Sequence, residues 1–275
     1  MGQREGDVIK RTTVPATVES MGAELRGLGI EPGGVLLVHS SLSEIGWVSG
    51  GTVAVILALQ AAVGVDEGTL VMPTHSTDLT EPRNWSAPPV PASWCEIIRD
   101  TAPAYDPDLT PTRGMGKIPE TFRKHKHAIR SAHPHSSFAA LGPMATAIVG
   151  EHPPPFGLGE SSPLARVYEL DGQVLLLGVG YSNHTSLHLA EYRATYPRKR
   201  TTRDGAPVKV NGKRAWITFE DLDNDAGDFE QIGKDFAAAH PKVVKRGNVG
   251  IADCMLMSQR AIVDFGAEWM TSQRS

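Results

Sequence analysis

Only two cysteines, Cys95 and Cys254, occur in 275 residues. They are too few for a disulfide framework and lack the C-x-x-C spacing of a thiol redox or zinc motif, so neither chemistry is expected. No apolar run approaches the roughly 18 residues of a membrane-spanning helix. The N-terminal stretch MGQREGDVIKRTT carries charges where a secretory leader would need an apolar segment. Gly2 invites a myristoylation reading, but Gly6 stands where that pattern requires Ser or Thr. A soluble, cytoplasmic protein is the expectation. Charge of one sign is also lacking: 27 Lys and Arg stand against 31 Asp and Glu, for a net charge of −4. The clustered basic excess of a nucleic-acid-coating protein is missing, so neither nucleic acid nor membrane is an expected partner. Internal repeats, low-complexity tracts and linkers are absent as well, and one domain spanning residues 1–275 is expected.

What the chain does contain is a series of short apolar runs. Val18, Met21, Leu25 and Leu28 recur at helical spacing, Glu31-Pro32-Gly33-Gly34 breaks the chain, and Val35-Leu36-Leu37-Val38 follows as a buried strand. A mostly apolar segment, Val53 to Val63, is long enough for three helical turns, and Thr69 to Pro73 reads as a second strand. Asp171-Gly172 leads into a third, Gln173 to Gly180, whose unbroken apolar character suits a strand covered on both faces. Strands alternating with helices indicate an α/β/α sandwich around a mainly parallel, mixed sheet. Between Pro73 and Pro119 the chain is rich in Pro and holds Trp85 and Trp94. So long a loop in a compact protein is usually functional or disordered, and the two tryptophans favour an ordered lid or wall.

Three segments carry chemistry. Just past the third strand lies Tyr181-Ser182-Asn183-His184-Thr185-Ser186-Leu187-His188-Leu189-Ala190-Glu191. Asn183 is suited to cap a helix, on which His184, His188 and Glu191 would share one face at the carboxyl end of a strand, where open α/β sheets bind ligands. Such a cluster can make a metal site or a general base with polar neighbours, and spacing does not choose between them. The second segment, Thr110 to Phe122, has Gly114-Met115-Gly116 before a helix start, with Arg113 and Lys117 beside it. Small residues, free backbone N–H groups and a basic run from Arg113 to Arg130 suit a phosphorylated ligand, although a solvated basic helix reads the same way. Pro111 breaks a Walker pattern, and the Arg/Gln-x-x-Gly-x-Gly loop of the common acetyltransferase fold is incomplete. The third is Glu220 to Glu230, with six carboxylates and no Lys or Arg. With Asp78, Glu81 and Glu191 it could line a cleft for a cationic substrate, or be a solvated loop. A nucleophilic serine elbow is absent, because His184 occupies the last Gly position of Gly-x-Ser-x-Gly.

The segments Pro73 to Pro82, Thr110 to Gly116, Ser131 to Phe138, Asn183 to Glu191 and Phe229-Glu230-Gln231-Ile232-Gly233 together resemble the aminoglycoside 3-N-acetyltransferase family, and the likeness runs from about Val18 to Phe265. The resemblance implies transfer of acetyl from acetyl-CoA, without a metal, to the 3-amino group of a 2-deoxystreptamine ring. It makes His188 the general base and Glu230 the carboxylate that orients it. CoA would lie along His39-Ser40-Ser41, along Thr112, Arg113, Gly114, Met115 and Gly116, and along Ser137 and Phe138. Asp78 and Glu191, with Glu81, Asn183 and Asp228, would hold the ammonium groups of the acceptor, and the Pro-rich stretch would form part of its wall.

Chemistry supports that assignment. An aliphatic amine is mostly protonated at neutral pH, and only its free lone pair attacks a thioester. A histidine, whose unperturbed pKa is near ~6.5, can take the proton while a carboxylate fixes its tautomer. Backbone N–H groups near Ser40 and Ser41, or the Thr185 hydroxyl, are candidate oxyanion donors. Transfer is expected to be direct, in a ternary complex, with both cysteines dispensable. The alternatives are a metal-dependent hydrolase using His184, His188 and Glu191, a same-fold acyltransferase for another amine, and a binder without catalysis.

Overall fold

The computed structural model describes residues 5–275. Gly2 and the first four residues of the N-terminal stretch lie outside the described residues. Nine strands occur among the described residues: β1 (Val35–Ser40), β2 (Thr69–Pro73), β3 (Ile129–Arg130), β4 (Phe138–Leu141), β5 (Gln173–Leu177), β6 (Thr201–Val210), β7 (Lys213–Leu222), β8 (Lys245–Val249) and β9 (Ala252–Ser258). The helices are α1 (Glu5–Arg11), α2 (Val18–Leu28), α3 (Leu42–Ile45), α4 (Gly51–Val63), α5 (Trp94–Thr101), α6 (Lys117–Phe122), α7 (Ala145–Val149), α8 (Pro163–Glu169), α9 (Ser186–Arg193), α10 (Phe229–Ala239) and α11 (Gln259–Gln273).

Seven strands form one sheet in the order β3-β4-β2-β1-β5-β9-β8, and β6 pairs with β7 in a separate hairpin. The sheet is mixed, as expected, but its parallel part is confined to the centre. There β1 lies between β2 and β5 with Leu36 opposite Leu70 and Leu37 opposite Val174. The strands outside these return antiparallel, β4 on β2 and β9 on β5.

Side chains alternate along β1, so both of its faces must find cover. Leu36 and Val38 join Met72, Leu175 and Leu177 beneath Met21 and Leu25 of α2 and Val55 and Leu59 of α4. Val35 and Leu37 join Val71, Val174 and Leu176 against Leu187, Ile232, Ile262 and Met270. That double burial is why β1, β2 and β5 read as unbroken apolar runs rather than alternating ones. Helix α2 starts where expected because the Thr17 and Ser20 side chains cap each other's backbone N–H.

In the Pro- and Trp-rich segment α5 is the longest regular element. The segment docks on the hairpin: Tyr105 N donates to Pro207 O at 2.8 Å, Glu81 N to an Asp204 carboxylate oxygen at 2.8 Å, and Lys209 pairs with Asp106 at 2.6 Å. The acidic run divides, Glu220 to Leu222 ending β7 and Phe229 opening α10.

Candidate active site

A cavity of about 850 Å³ opens beyond the carboxyl ends of the three parallel strands, the position where open α/β sheets bind their ligands. The end of β1 and the residue after it contribute His39, Ser40 and Ser41 to its wall, His75 follows β2, and His184, Thr185 and His188 follow β5. Gly114, Met115, Gly116 and Lys117 line it as well. Gly114 and Gly116 hold φ of 72° and 84°, a left-handed geometry that favours glycine and turns a bare backbone towards the cavity.

Helix α9 begins at Ser186 with Thr185 at its cap position, and Tyr181–Asn183 forms a separate 3₁₀ turn before it. Asn183 lines the cavity but does not cap the helix, and His184 lies outside the helix, fully buried. The expected face of His184, His188 and Glu191 therefore does not form. His188 and Glu191 do meet, three residues apart on α9. His188 Nδ1 lies 3.0 Å from Glu191 Oε2, and the ring packs edge-on against Phe229 with centroids 4.7 Å apart.

Glu191 is 0% exposed in its side chain, against 18% for His188. Its other oxygen accepts from Asp225 N at 2.8 Å and from Arg274 Nη1 at 2.7 Å. Glu230, expected to orient His188, does not reach it. Its side chain is 42% exposed, accepts from Ser182 N at 3.2 Å and pairs with Lys234 at 3.4 Å. Phe229, one residue earlier on α10, presents the ring that faces His188.

Other expected ligands are engaged elsewhere. Arg99 and the Arg83 N–H hold the Glu81 carboxylate, with Arg99 Nε donating to Oε2 at 2.9 Å. Asp228 receives two hydrogen bonds of 2.7 Å from Arg274. Asp78, half exposed, pairs with Arg113. None of Asp78, Glu81, Asp228 and Glu191 lines the cavity.

On the coenzyme side, Thr112, Arg113, Ser137 and Phe138 also lie off the cavity wall. Thr112 donates from both N and Oγ1 to Glu120 at 2.9 Å. Ser137 Oγ donates to Thr74 O, and Phe138 is a fully buried core residue. The basic run is largely structural: Arg123 binds Glu120, buried Arg130 donates to Thr74 O and Pro107 O, and only Lys117 of the run's charges lines the cavity. Burial would raise the Glu120 carboxyl, but hydrogen bonds from Arg123, Lys124 and Thr112 outweigh it and hold it well below the usual range. Ser41 N, considered as an oxyanion donor, donates to Leu177 O at 2.9 Å.

The floor of the cavity is polar and unpaired. His39 Nε2, Ser40 Oγ, His75 Nε2 and both ring nitrogens of His184 are buried without a protein partner. Each such atom costs about 1–3 kcal/mol unless a ligand or water completes it. Burial depresses these imidazoles, His39 well below the ordinary value, His75 to about 3 and His184 to about 4. All three are neutral at physiological pH. The metal-hydrolase alternative lacks a ligand set, since no three His, Cys, Asp or Glu side chains among the described residues converge to hold an ion.

A His–carboxylate pair at the mouth of a cleft beyond parallel strands, with neutral polar groups on its floor, defines an α/β protein equipped for proton transfer to or from a small ligand. The family model described as aminoglycoside 3-N-acetyltransferase matches residues 37–271. The chain is 45% identical over 269 residues to the SPbeta prophage-derived aminoglycoside N(3')-acetyltransferase-like protein YokD of Bacillus subtilis, covering 98% of this chain and 97% of that one. The YokD crystal structure superposes with a TM-score of 0.94 over 98% of both chains. Aminoglycoside N(3)-acetyltransferase VII of Streptomyces paromomycinus is 38% identical, covering 96% of this chain and 94% of that one. The structure of AAC-IIIb binary with CoASH is 31% identical, with a TM-score of 0.83 over 95% of this chain and 98% of that one. The chain belongs to the aminoglycoside 3-N-acetyltransferase family.

Proposed function

We propose that this chain, acting as one catalytic domain, transfers acetyl from acetyl-CoA to a primary amine, the 3-amino group of the 2-deoxystreptamine ring of an aminoglycoside. The observation that carries the assignment of roles is the contact of His188 Nδ1 with the buried Glu191 carboxylate, on a helix whose His188 lines the cavity. Glu191 fixes the tautomer, so that Nε2 is the nitrogen that takes the amine's proton. The amine nitrogen bonds to the acetyl carbon as the carbon–sulfur bond breaks, and the imidazolium returns the proton to the departing thiolate.

The Gly114–Gly116 backbone, Lys117 and the His39–Ser41 segment are the coenzyme's wall in this reading, supported by the CoASH bound to the AAC-IIIb relative. The Thr185 and Ser40 hydroxyls and the neutral His75 are the donors for the developing oxyanion. Cys95 and Cys254, both buried and free, take no part. No helix among the described residues is long and apolar enough to cross a membrane. A cytoplasmic location fits the use of acetyl-CoA and the free thiols.

A second reading, acyl transfer by the same pair to an amine other than an aminoglycoside, is favoured by one observation. Three of the carboxylates expected to bind a polycation, Glu81, Asp228 and Glu191, lie off the cavity wall and already face Arg99 and Arg274. Thiol release from acetyl-CoA, measured with a panel of aminoglycosides and simple polyamines, decides. Release that depends on a deoxystreptamine acceptor supports the first reading, release only with other amines supports the second, and no release with any amine overturns both.

A further inference from the structure

The buried Glu191 has a partner that no local spacing predicts. Arg274, which follows α11, folds back so that one guanidinium nitrogen donates to Glu191 Oε1 at 2.7 Å and to the Tyr196 hydroxyl at 3.2 Å. Asp228 grips the guanidinium edge through two bonds of 2.7 Å, and the group sits over the Tyr196 ring, 5.1 Å from its centroid. Its side chain is only 11% exposed. We propose that Arg274 is a positioning residue for the transfer: it supplies the positive charge that keeps the buried Glu191 carboxylate anionic and aimed at His188.

A carboxylate fully removed from water loses several kcal/mol of solvation unless it is paired and hydrogen-bonded. Glu191 gets one backbone N–H, the imidazole, the Tyr196 hydroxyl at 3.5 Å and a guanidinium that it shares with Asp228, and this positive charge comes from Arg274. Protonated, Glu191 would no longer stabilise an imidazolium at His188. Asp228 anchors the guanidinium, which explains why a residue expected to bind substrate is turned inward. The planar fork spans both carboxylates at once, a geometry that a lysine ammonium does not reproduce.

The groups facing this pair are His188 on the same helix, Tyr196 and Lys199 from the segment after it, Asp225 and Asp228 from the loop before α10, and the neutral imidazole of His75. Of these, Lys199 is the other cation, and its ammonium donates to Tyr192 O and Ala194 O. Arg274 is therefore the charge whose loss is felt at Glu191.

The inference rests on His188 acting as base with Glu191 behind it. Rates of thiol release across pH 5.5–9 in Arg274→Met, Arg274→Lys and Asp228→Asn test it. The acid limb of kcat should move upward in Arg274→Met, with a loss of about five-fold at pH 6.5 that narrows at pH 8.5. Lys should restore part of it, Asp228→Asn should give a smaller shift, and KM for acetyl-CoA should stay within about two-fold. A merely structural role lowers the melting temperature and leaves the limb where it is, which would overturn the inference. Should Arg274→Met not fold, the Lys and Asp228→Asn variants carry the same comparison. His188→Ala separates the two levels: if it is inactive while the Arg274 variants keep the wild-type limb, only the role of Arg274 fails. If His188→Ala keeps turnover, the base assignment fails first.

Discussion

The half of the molecule built on β2, β1 and β5 and the half built on the hairpin and the Pro-rich segment are held by different forces. In the first, side chains are placed by apolar burial on both faces of the sheet, and His188 is positioned by a helix whose Leu187 and Leu189 are fully buried. In the second, polar contacts do the placing: Glu81 with Arg99 and Asp204, Lys209 with Asp106, Arg214 with the Ala102 carbonyl, and three buried histidines beneath the hairpin. Apolar burial is indifferent to pH and sets a rigid base for chemistry. A polar lock depends on protonation.

The largest effect separates the halves by function. His188→Ala should lower kcat by about 10²–10⁴-fold, the usual contribution of a general base, with CoA affinity by calorimetry unchanged, because the coenzyme wall lies on other segments. Loss of CoA binding together with turnover would erase the distinction between a proton-transfer helix and a coenzyme wall.

A smaller effect concerns pH. His133 Nδ1 accepts from the backbone N–H groups of His135 and Ser136, and His152 lies against its ring at 4.5 Å. His135 Nε2 donates to Gly205 O in β6. Burial lowers the proton affinity of all three, that of His152 to about 4, with Asp204 partly opposing it at His135. The unfolded histidines titrate near ~6.5, so below that pH the unfolded chain binds more protons than the folded one. Stability is complete above about pH 6.5 and falls as the pH drops towards 4, each histidine costing about 1.4 kcal/mol for every pH unit that separates its folded from its unfolded titration. The buried His39, His75 and His184 of the cavity act in the same direction, so the urea midpoint should be lower at pH 5 than at pH 7.5. A midpoint independent of pH would contradict this.

The smallest effect is local. Asn211 and Gly212 join β6 to β7 with φ of 49° and 75°, the left-handed pair of a type I′ turn. Asn211→Ala should cost about 1 kcal/mol in thermal stability, with kcat unchanged. A large loss of turnover would mean that the hairpin tip shapes the site more than its contacts indicate.

The same contrast explains what is legible in the sequence. The runs of β1, β2 and β5 are readable because both faces are buried, and the turn at Asp171, with its φ of 55°, falls where expected. The 850 Å³ cavity lies where their carboxyl ends predict. The hairpin escapes a reading by apolar runs although Asn211-Gly212 announces it, because β6 buries only Gly205, Ala206 and Pro207 at its middle and carries charges around them. His188 is found from its segment, but its partner is not. Glu191 is available at helical spacing, yet a buried carboxylate looks from sequence like a substrate ligand until Arg274, 83 residues away, is seen to neutralise it. Glu81 and Asp228 likewise face arginines, Arg99 and Arg274, that no local spacing predicts.

At the centre of the proposed mechanism stands Glu191, whose carboxylate lies 3.0 Å from His188 Nδ1, and not Glu230. The direct test is kcat for thiol release, with a saturating amine acceptor, in Glu191→Gln and Glu230→Gln at pH 7.5. The prediction is a loss of about ten-fold or more in Glu191→Gln and near wild-type turnover in Glu230→Gln. Wild-type turnover in Glu191→Gln, with the loss falling on Glu230→Gln instead, would contradict it.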